Sequence, residues 1–173
     1  TKELVGQELA KLTKKLIRYR RILDLAQKKG DPRVIDAVVE AAAIDRDLLK
    51  DGKKLDLELD KIALYIKKHY PEIQDFDLGM EKDQEHEAKK VIYKTVVNNA
   101  PRETVLDFDF LNSAEFGELR KLAREFEEWG KGPYQIFQEE DKLEFDELGK
   151  VKDHILSHGK AGHDIQRYKG LGE

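Results

Sequence analysis

The chain contains no cysteine. Disulfides, thiolate zinc sites, iron–sulfur clusters and cysteine nucleophiles are therefore excluded, and the usage fits a reducing compartment such as the cytoplasm. It also has no apolar run approaching the ~18 residues that would span a membrane, so no membrane partner is expected. Apolar residues are scarce: hydrophobic side chains make up 39% of the sequence, no more than the 39% that are charged. They nevertheless fall in periodic patterns, which separates the chain from disordered sequences. Its 173 residues suffice for one sizeable domain or two small ones. A chain opening on Thr1 and stopping at Gly172-Glu173 reads as an excerpt of a longer polypeptide.

The net charge of -4 hides an asymmetry. Residues 1–72 hold 17 Lys/Arg and 13 Asp/Glu, whereas residues 73–164 hold 13 and 22. A basic front and an acidic middle argue against a uniformly nucleic-acid-coated surface, but they allow a local basic face.

The first 72 residues read as helices. Val5, Leu9, Leu12, Leu16, Tyr19, Leu23 and Ala26 recur at alternating spacings of 4 and 3, an apolar seam along one helix. The seam fits the core of an antiparallel helical hairpin, with a coiled coil to another chain as the alternative. Gly30 ends the helix. Asp31 can cap the next, with Pro32 in its first turn, where a missing N–H costs nothing. That second helix is expected to carry Val34, Ile35, Val38, Val39, Ala42 and Leu49, and Asp51-Gly52 to break it. A third helix, with Leu55, Leu59, Ile62 and Ile66, should end before Pro71. The short links imply antiparallel neighbours.

The period then shortens to two. Phe76, Leu78 and Met80 alternate with Asp77, Gly79 and Glu81. The same holds for Val91, Tyr93, Thr95 and Val97, and for Leu106, Phe108 and Phe110. Asn98-Asn99-Ala100-Pro101 is a turn signal between the last two runs. The expectation is a meander of half-buried antiparallel strands with one wet face. Ser113 should cap a helix running to about Trp129, followed by a strand over Tyr134–Gln138. Asp146 should cap a last helix with Leu148, Val151, Ile155 and Leu156. His158 to His163 reads as a loop, Ile165 to Tyr168 as a strand, and Lys169 to Glu173 as a turn. The fold class is α+β: an antiparallel helical hairpin or bundle followed by an antiparallel sheet meander packed with helices. Three segments are expected, residues 1–72 helical, 73–140 strands plus a helix, and 141–173 helix, loop and strand.

Little of the sequence carries chemistry. His69, His86, His154, His158 and His163 make no metal set by spacing. Asp75-Phe76-Asp77 and Asp107-Phe108-Asp109 each place two carboxylates on one side of a strand, a pattern that can hold magnesium and that any wet strand face also produces. Lys14, Lys15, Arg18, Arg20 and Arg21 form the densest basic run. It reads as a solvated helix face or as a patch facing phosphates. No catalytic or metal-ligating residue is assigned.

The last nine residues, Ile165-Gln166-Arg167-Tyr168-Lys169-Gly170-Leu171-Gly172-Glu173, differ from the rest. A strand with basic groups two apart runs into Gly-x-Gly, where absent side chains permit close backbone approach and positive φ. The run IQRYKGLGE resembles the signature that closes the metal-binding Toprim region of type IIA topoisomerases, the gyrase B subunits among them. Upstream, the Gly6-Gln7-Glu8-Leu9-Ala10-Lys11-Leu12 helix resembles the start of the large insertion that interrupts this region in many Gram-negative gyrase B subunits. The helix from Glu115, the Tyr134–Gln138 strand and the Leu148–Leu156 helix resemble its later parts. Roughly residues 4–140 would be insertion, and 141–173 a return to the enzyme core.

The resemblance implies a parent enzyme that uses ATP and magnesium to pass one DNA duplex through a break in another. It implies assembly with an A subunit and double-stranded DNA in a heterotetramer, in the cytoplasm. The family's Glu-Gly-Asp-Ser and Asp-x-Asp-x-Asp-Gly metal motifs are missing, as are the ATPase loops. The isolated chain should therefore be an inert monomer without a cofactor of its own. Arg167 and Lys169 become candidates for contact with the DNA backbone, beside Lys14, Lys15, Arg18 and Arg21. Gly170 and Gly172 would shape the loop, with Glu173 as a structural carboxylate. Other classes are a free-standing protein-interaction module and a magnesium-dependent nuclease built on the Asp-x-Asp pairs. As a chain terminus separated from the parent's strands, residues 166–173 are expected to fray.

Overall fold

The computed structural model describes residues 2–5, 7–127, 134–138, 141–145, 150 and 167–170. It is an α+β fold with two compact units, Thr1–Arg21 with Leu122–Glu173, and Ile22–Lys121. The division falls within two helices, α1 (Gln7–Ala26) and α5 (Ala114–Glu127).

In the unit Ile22–Lys121, helix α2 (Pro32–Ala41) is the most buried element. Val34, Ile35, Asp36, Ala37, Val38 and Val39 are all buried, so its apolar surface extends well beyond one stripe. Asp31 caps it, accepting from Arg33 N–H at 3.0 Å, with Pro32 in the first turn. The polar Asp36 is tolerated inside because the Tyr70 hydroxyl donates to it, and the Tyr65 hydroxyl lies 3.5 Å away. Burial and the Asp36 charge together push the Tyr65 phenol far above its ordinary pKa.

Helix α3 (Gly52–His69) is capped by Asp51, which accepts from Lys54 N–H at 3.3 Å. Tyr65 and Tyr70, at its C-terminal end, reach Asp36 midway along α2. Glu58, nearer its start, accepts from Ala43 N–H just past the end of α2. The two helices are therefore antiparallel, and Leu55, Leu59, Ile62 and Ile66 line the buried side of α3.

Strands β2 (Asp75–Asp83), β3 (Ala88–Val97) and β4 (Ala100–Leu106) form an antiparallel sheet in that order. Asn98 and Asn99, with φ of 52° and 62°, make the two-residue turn whose twist suits a hairpin. Val91, Tyr93, Thr95, Thr104 and Leu106 lie on the covered face.

A polar clasp joins this sheet to the α1–α2 turn. Asp31 is fully buried. Its N–H donates to Thr104 Oγ1 at 2.8 Å, and Thr95 Oγ1 lies 3.4 Å from its carboxylate. Arg102 donates to the carbonyls of Gln27 and Gly30 at 2.9 and 3.1 Å. Gly30 must be glycine here, because a Cβ would sit 2.4–2.7 Å from Thr104.

In the other unit, β1 (Lys2–Val5), β5 (Tyr134–Gln138), β6 (Asp141–Phe145) and β7 (Arg167–Gly170) form a four-stranded sheet of order β1-β7-β5-β6. All its pairings are antiparallel. On the helical segments of this unit, Leu9, Leu12, Leu16, Tyr19, Leu122, Ala123 and Phe126 are buried. Tyr19 and Phe126 meet edge to face at 5.6 Å.

Four expectations need correction. Val5 does not begin the α1 seam; it pairs with Arg167 in β1, and the helix starts after Gly6. The second helix does not reach Leu49: it stops at Ala41, where Ala42 turns extended, and Leu49 is buried in a short 3-10 helix, Leu48–Lys50. Phe108 and Phe110 do not continue a strand. Asp107 accepts from Phe110 N–H at 2.8 Å and caps a short helix, α4 (Phe108–Leu111), which breaks the Asp107/Asp109 strand pairing of carboxylates. Arg167–Gly170 does not lack docking partners, because β1 and β5 flank it on both edges. The end of the α5 region near Trp129, the Asp146-capped helix, the His158–His163 loop and Leu171 to Glu173 lie outside the described residues.

Candidate nucleic-acid interface

Helix α1 positions the basic run. Its buried seam consists of Leu9, Leu12, Leu16, Tyr19, Ile22, Leu23 and Ala26. At 3.6 residues per turn, Lys11, Lys14, Arg18 and Arg21 then follow one another along a separate ridge, and all are exposed. Seven residues separate Lys14 from Arg21, roughly 10 Å of helix axis. A duplex carries one negative charge per about 1.7 Å of axis, so such a ridge can face several phosphates.

The members of the run are not equivalent. Lys15 Nζ lies 2.9 Å from Glu125 Oε2 on α5, so part of its charge is already answered. Arg18 and Arg20 also have partners. Arg20 lies off the ridge, two positions from Arg18 on the helical wheel. Lys14 and Arg21 are exposed, and among the described residues neither has an ion pair. Sequence reasoning missed Lys11 as a ridge member and Glu125 as a counter-charge. The spacing of 3 and 4 from Lys11 to Arg21 was available as a signal for the first, and nothing local signals the second.

Arg167 and Lys169 occupy β7, two apart in one strand and therefore at equivalent positions on one sheet face. In register, Arg167 stands opposite Val5 and Phe137, and Lys169 opposite Glu3 and Gln135. Gly170 closes the strand opposite Lys2 and Tyr134. Gly172 and Glu173 lie outside the described residues. Lys14, Lys15, Arg18, Arg21, Arg167 and Lys169 all belong to the unit Thr1–Arg21 with Leu122–Glu173. Only one residue, Gly6, separates β1, which pairs with β7, from α1.

No group of three or more His, Asp or Glu side chains among the described residues converges as a metal site. Asp75 and Asp77 lie exposed along β2, with Lys94 opposite Asp77. His86 is engaged structurally: Nδ1 lies 2.9 Å from Asp83 Oδ2, and its ring stacks on Phe108 at 4.3 Å. No catalytic step is derived from the described residues.

Residues 1–142 match the family described as the DNA gyrase B subunit insert domain. The DNA gyrase B subunit of Rickettsia conorii is 30% identical over 181 aligned positions, covering 98% of this chain and 20% of that protein. The Rickettsia felis protein of the same name is 30% identical over 182 positions, 99% of this chain and 20% of its own length. A 70-residue stretch is 34% identical to the type 2 topoisomerase B subunit of Aquifex aeolicus, 40% of this chain and 8% of that protein. The chain thus spans about a fifth of the length of the gyrase B subunits it matches. With 142 of its residues inside that family's boundaries, the chain belongs to the DNA gyrase B subunit insert domain family.

Proposed function

We propose that the chain is the insert segment of a B subunit in an ATP-dependent type II topoisomerase, and that it serves as scaffold and interaction surface while the enzyme supercoils DNA. Roughly residues 4–140 form the insertion, and roughly 141–173 return to the Toprim core. The A subunit and duplex DNA are its partners in a cytoplasmic heterotetramer. Magnesium and ATP act elsewhere in the parent, and the isolated chain is an inactive monomer. The α1 ridge touches the DNA backbone. Arg167 and Lys169 do the same from β7, with Gly170 and Gly172 shaping the loop beside them and Glu173 as a structural carboxylate. The observation supporting this reading is the exposed ridge Lys11–Lys14–Arg18–Arg21, set apart from the buried seam.

The test is a triple reversal, Lys11→Glu, Lys14→Glu and Arg21→Glu, in the intact heterotetramer. Lys15 is left alone, because reversal would set a carboxylate against Glu125. The three positions are exposed, so folding should persist. Duplex affinity should fall, and the slope of log affinity against log salt should flatten by about 0.9 per lost contact, roughly 2–3 in all. If affinity and slope stay unchanged while assembly with the A subunit weakens, the helix braces protein rather than DNA. If neither responds, the ridge is only a solvated face.

A further inference from the structure

Strand β2 is unlike the two strands it sits beside. On its covered face, Leu78 stands opposite Tyr93 and Met80 opposite Val91. Tyr93 and Val91 are fully buried, yet Leu78 is 38% exposed and Met80 45%. The cover over the sheet therefore stops before its last strand, and an apolar row of Phe76, Leu78 and Met80 reaches solvent. A groove of about 470 Å³ opens beside Met80 and Leu49. No described strand pairs with the outer edge of β2, which runs for nine residues.

The opposite row of the same strand is acidic: Asp75, Asp77, Glu81 and Asp83 alternate with the apolar residues. Glu81 has a partial counter-charge in Lys90 at 3.7 Å, and Asp83 is taken by His86. Asp75 and Asp77 are exposed carboxylates with no cation paired to them among the described residues. An open edge offers backbone hydrogen bonds, and the two rows select what can use them. A second copy of β2 is disfavoured: edge to edge, an antiparallel copy sets carboxylates beside carboxylates, and a parallel copy, turned face over, sets them beside the apolar row.

We propose that the outer edge of β2 docks an extended segment of a partner protein in which basic and apolar residues alternate, added to the sheet as another strand. Its basic residues face Asp75 and Asp77, and its apolar residues extend the Phe76–Leu78–Met80 row. This surface belongs to the unit Ile22–Lys121, whereas the basic ridge belongs to the other, and the proposal does not depend on the DNA reading.

Amide hydrogen exchange on this chain tests the proposal, with a ten-residue peptide of alternating lysine and valine as probe and its glutamate–valine counterpart as control. The lysine peptide at saturation should slow exchange of the outward β2 amides by about tenfold, the glutamate peptide much less. Asp75→Lys with Asp77→Lys should abolish the effect of the lysine peptide. Added salt should weaken it in the unaltered chain, which keeps the test valid if the variant misfolds. Equal slowing by both peptides, no slowing by either, or slowing indifferent to the double substitution and to salt would overturn the proposal. So would outward amides already protected without peptide, since the chain itself would then cover the edge.

Discussion

The two sheets of this protein are built by opposite means. In β2–β3–β4, each strand pairs with the next along the chain, through the Gln84–Glu87 turn and the two-residue Asn98-Asn99 turn. In β1-β7-β5-β6, β5 and β6 are neighbours along the chain, but the edge strand Lys2–Val5 pairs with Arg167–Gly170, about 160 residues away. Loop closure explains why both are possible. Each doubling of a flexible loop costs only about 0.6 kcal/mol, so distance along the chain is a mild thermodynamic handicap. It is a larger kinetic one, because nonlocal contacts repay their entropy late in folding. The local sheet should therefore form first and stand without the distant one, whereas the distant sheet hangs on short strands at both ends of the chain.

The strongest way to break that comparison is a core cavity in the unit Ile22–Lys121. Ile62 is fully buried on α3. Ile62→Ala should cost about 2–5 kcal/mol, the transfer term plus the unfilled cavity. Urea unfolding followed by exchange of the α2, α3 and β3 amides measures it. If β7 amides keep their protection at urea concentrations where α3 has lost its own, the two units unfold separately. Simultaneous loss would show one cooperative unit and erase the distinction.

A smaller effect comes from the opposite side. Removing residues 1–5 takes away β1 and leaves β7 with β5 as its sole described neighbour. Exchange at Arg167–Gly170 should quicken by about tenfold, roughly 1.4 kcal/mol of local opening. The Asn98-Asn99 hairpin should be unaffected. Unchanged β7 exchange would mean that β5 alone holds the signature strand.

What the sequence disclosed follows the same division. Alternation from Phe76 to Met80 and from Val91 to Val97 named two strands, because side chains on a half-covered sheet must alternate. Asp31-Pro32 and Ser113 announced helix starts through the acceptor each supplies to an orphan N–H, whereas Asp51, read only as a break, turns out to cap α3. Two readings failed, one to a local competitor and one to a distant partner. Leu106, Phe108 and Phe110 keep the strand period, but the Asp107 side chain captures Phe110 N–H and starts a helix. Val5 keeps the helix period, but its partner Arg167 lies at the far end of the chain, where no window of sequence can see it. Of the candidate interface, the basic run on α1 was legible as charge at helical spacing. The Lys15–Glu125 pair was not, because α5 is over 90 residues away.

The smallest effect sharpens the picture of the local sheet at its tip. His86 sits in the turn between β2 and β3, stacked on Phe108, over which Arg46 and Lys50 also lie. The hydrogen bond with Asp83 holds its pKa above the ordinary 6.5, with Asp109 and Glu85 adding to the field. The same bond holds the Asp83 carboxyl below its ordinary 3.8. The signs fix the window. A raised imidazole contributes stability that is complete below 6.5 and lost as pH rises through its folded value. A lowered carboxyl contributes stability that is complete above 3.8 and lost as pH falls through its folded value. Between those ordinary values the pair should hold the hairpin tip against α4 most firmly, and the group is exposed enough for salt to weaken it. A proton NMR titration of His86 should give a midpoint above 6.5. Asp83→Asn should bring it back toward that value more than Asp109→Asn does, because the Asp83 bond is the largest cause. His86→Gln should flatten the loss of stability on the alkaline side, measured as the difference from the unaltered chain. If the His86 midpoint lies at or below 6.5, or Asp83→Asn leaves it in place, the hairpin tip is held by the Phe108 stack alone and the local sheet owes nothing to charge at that end.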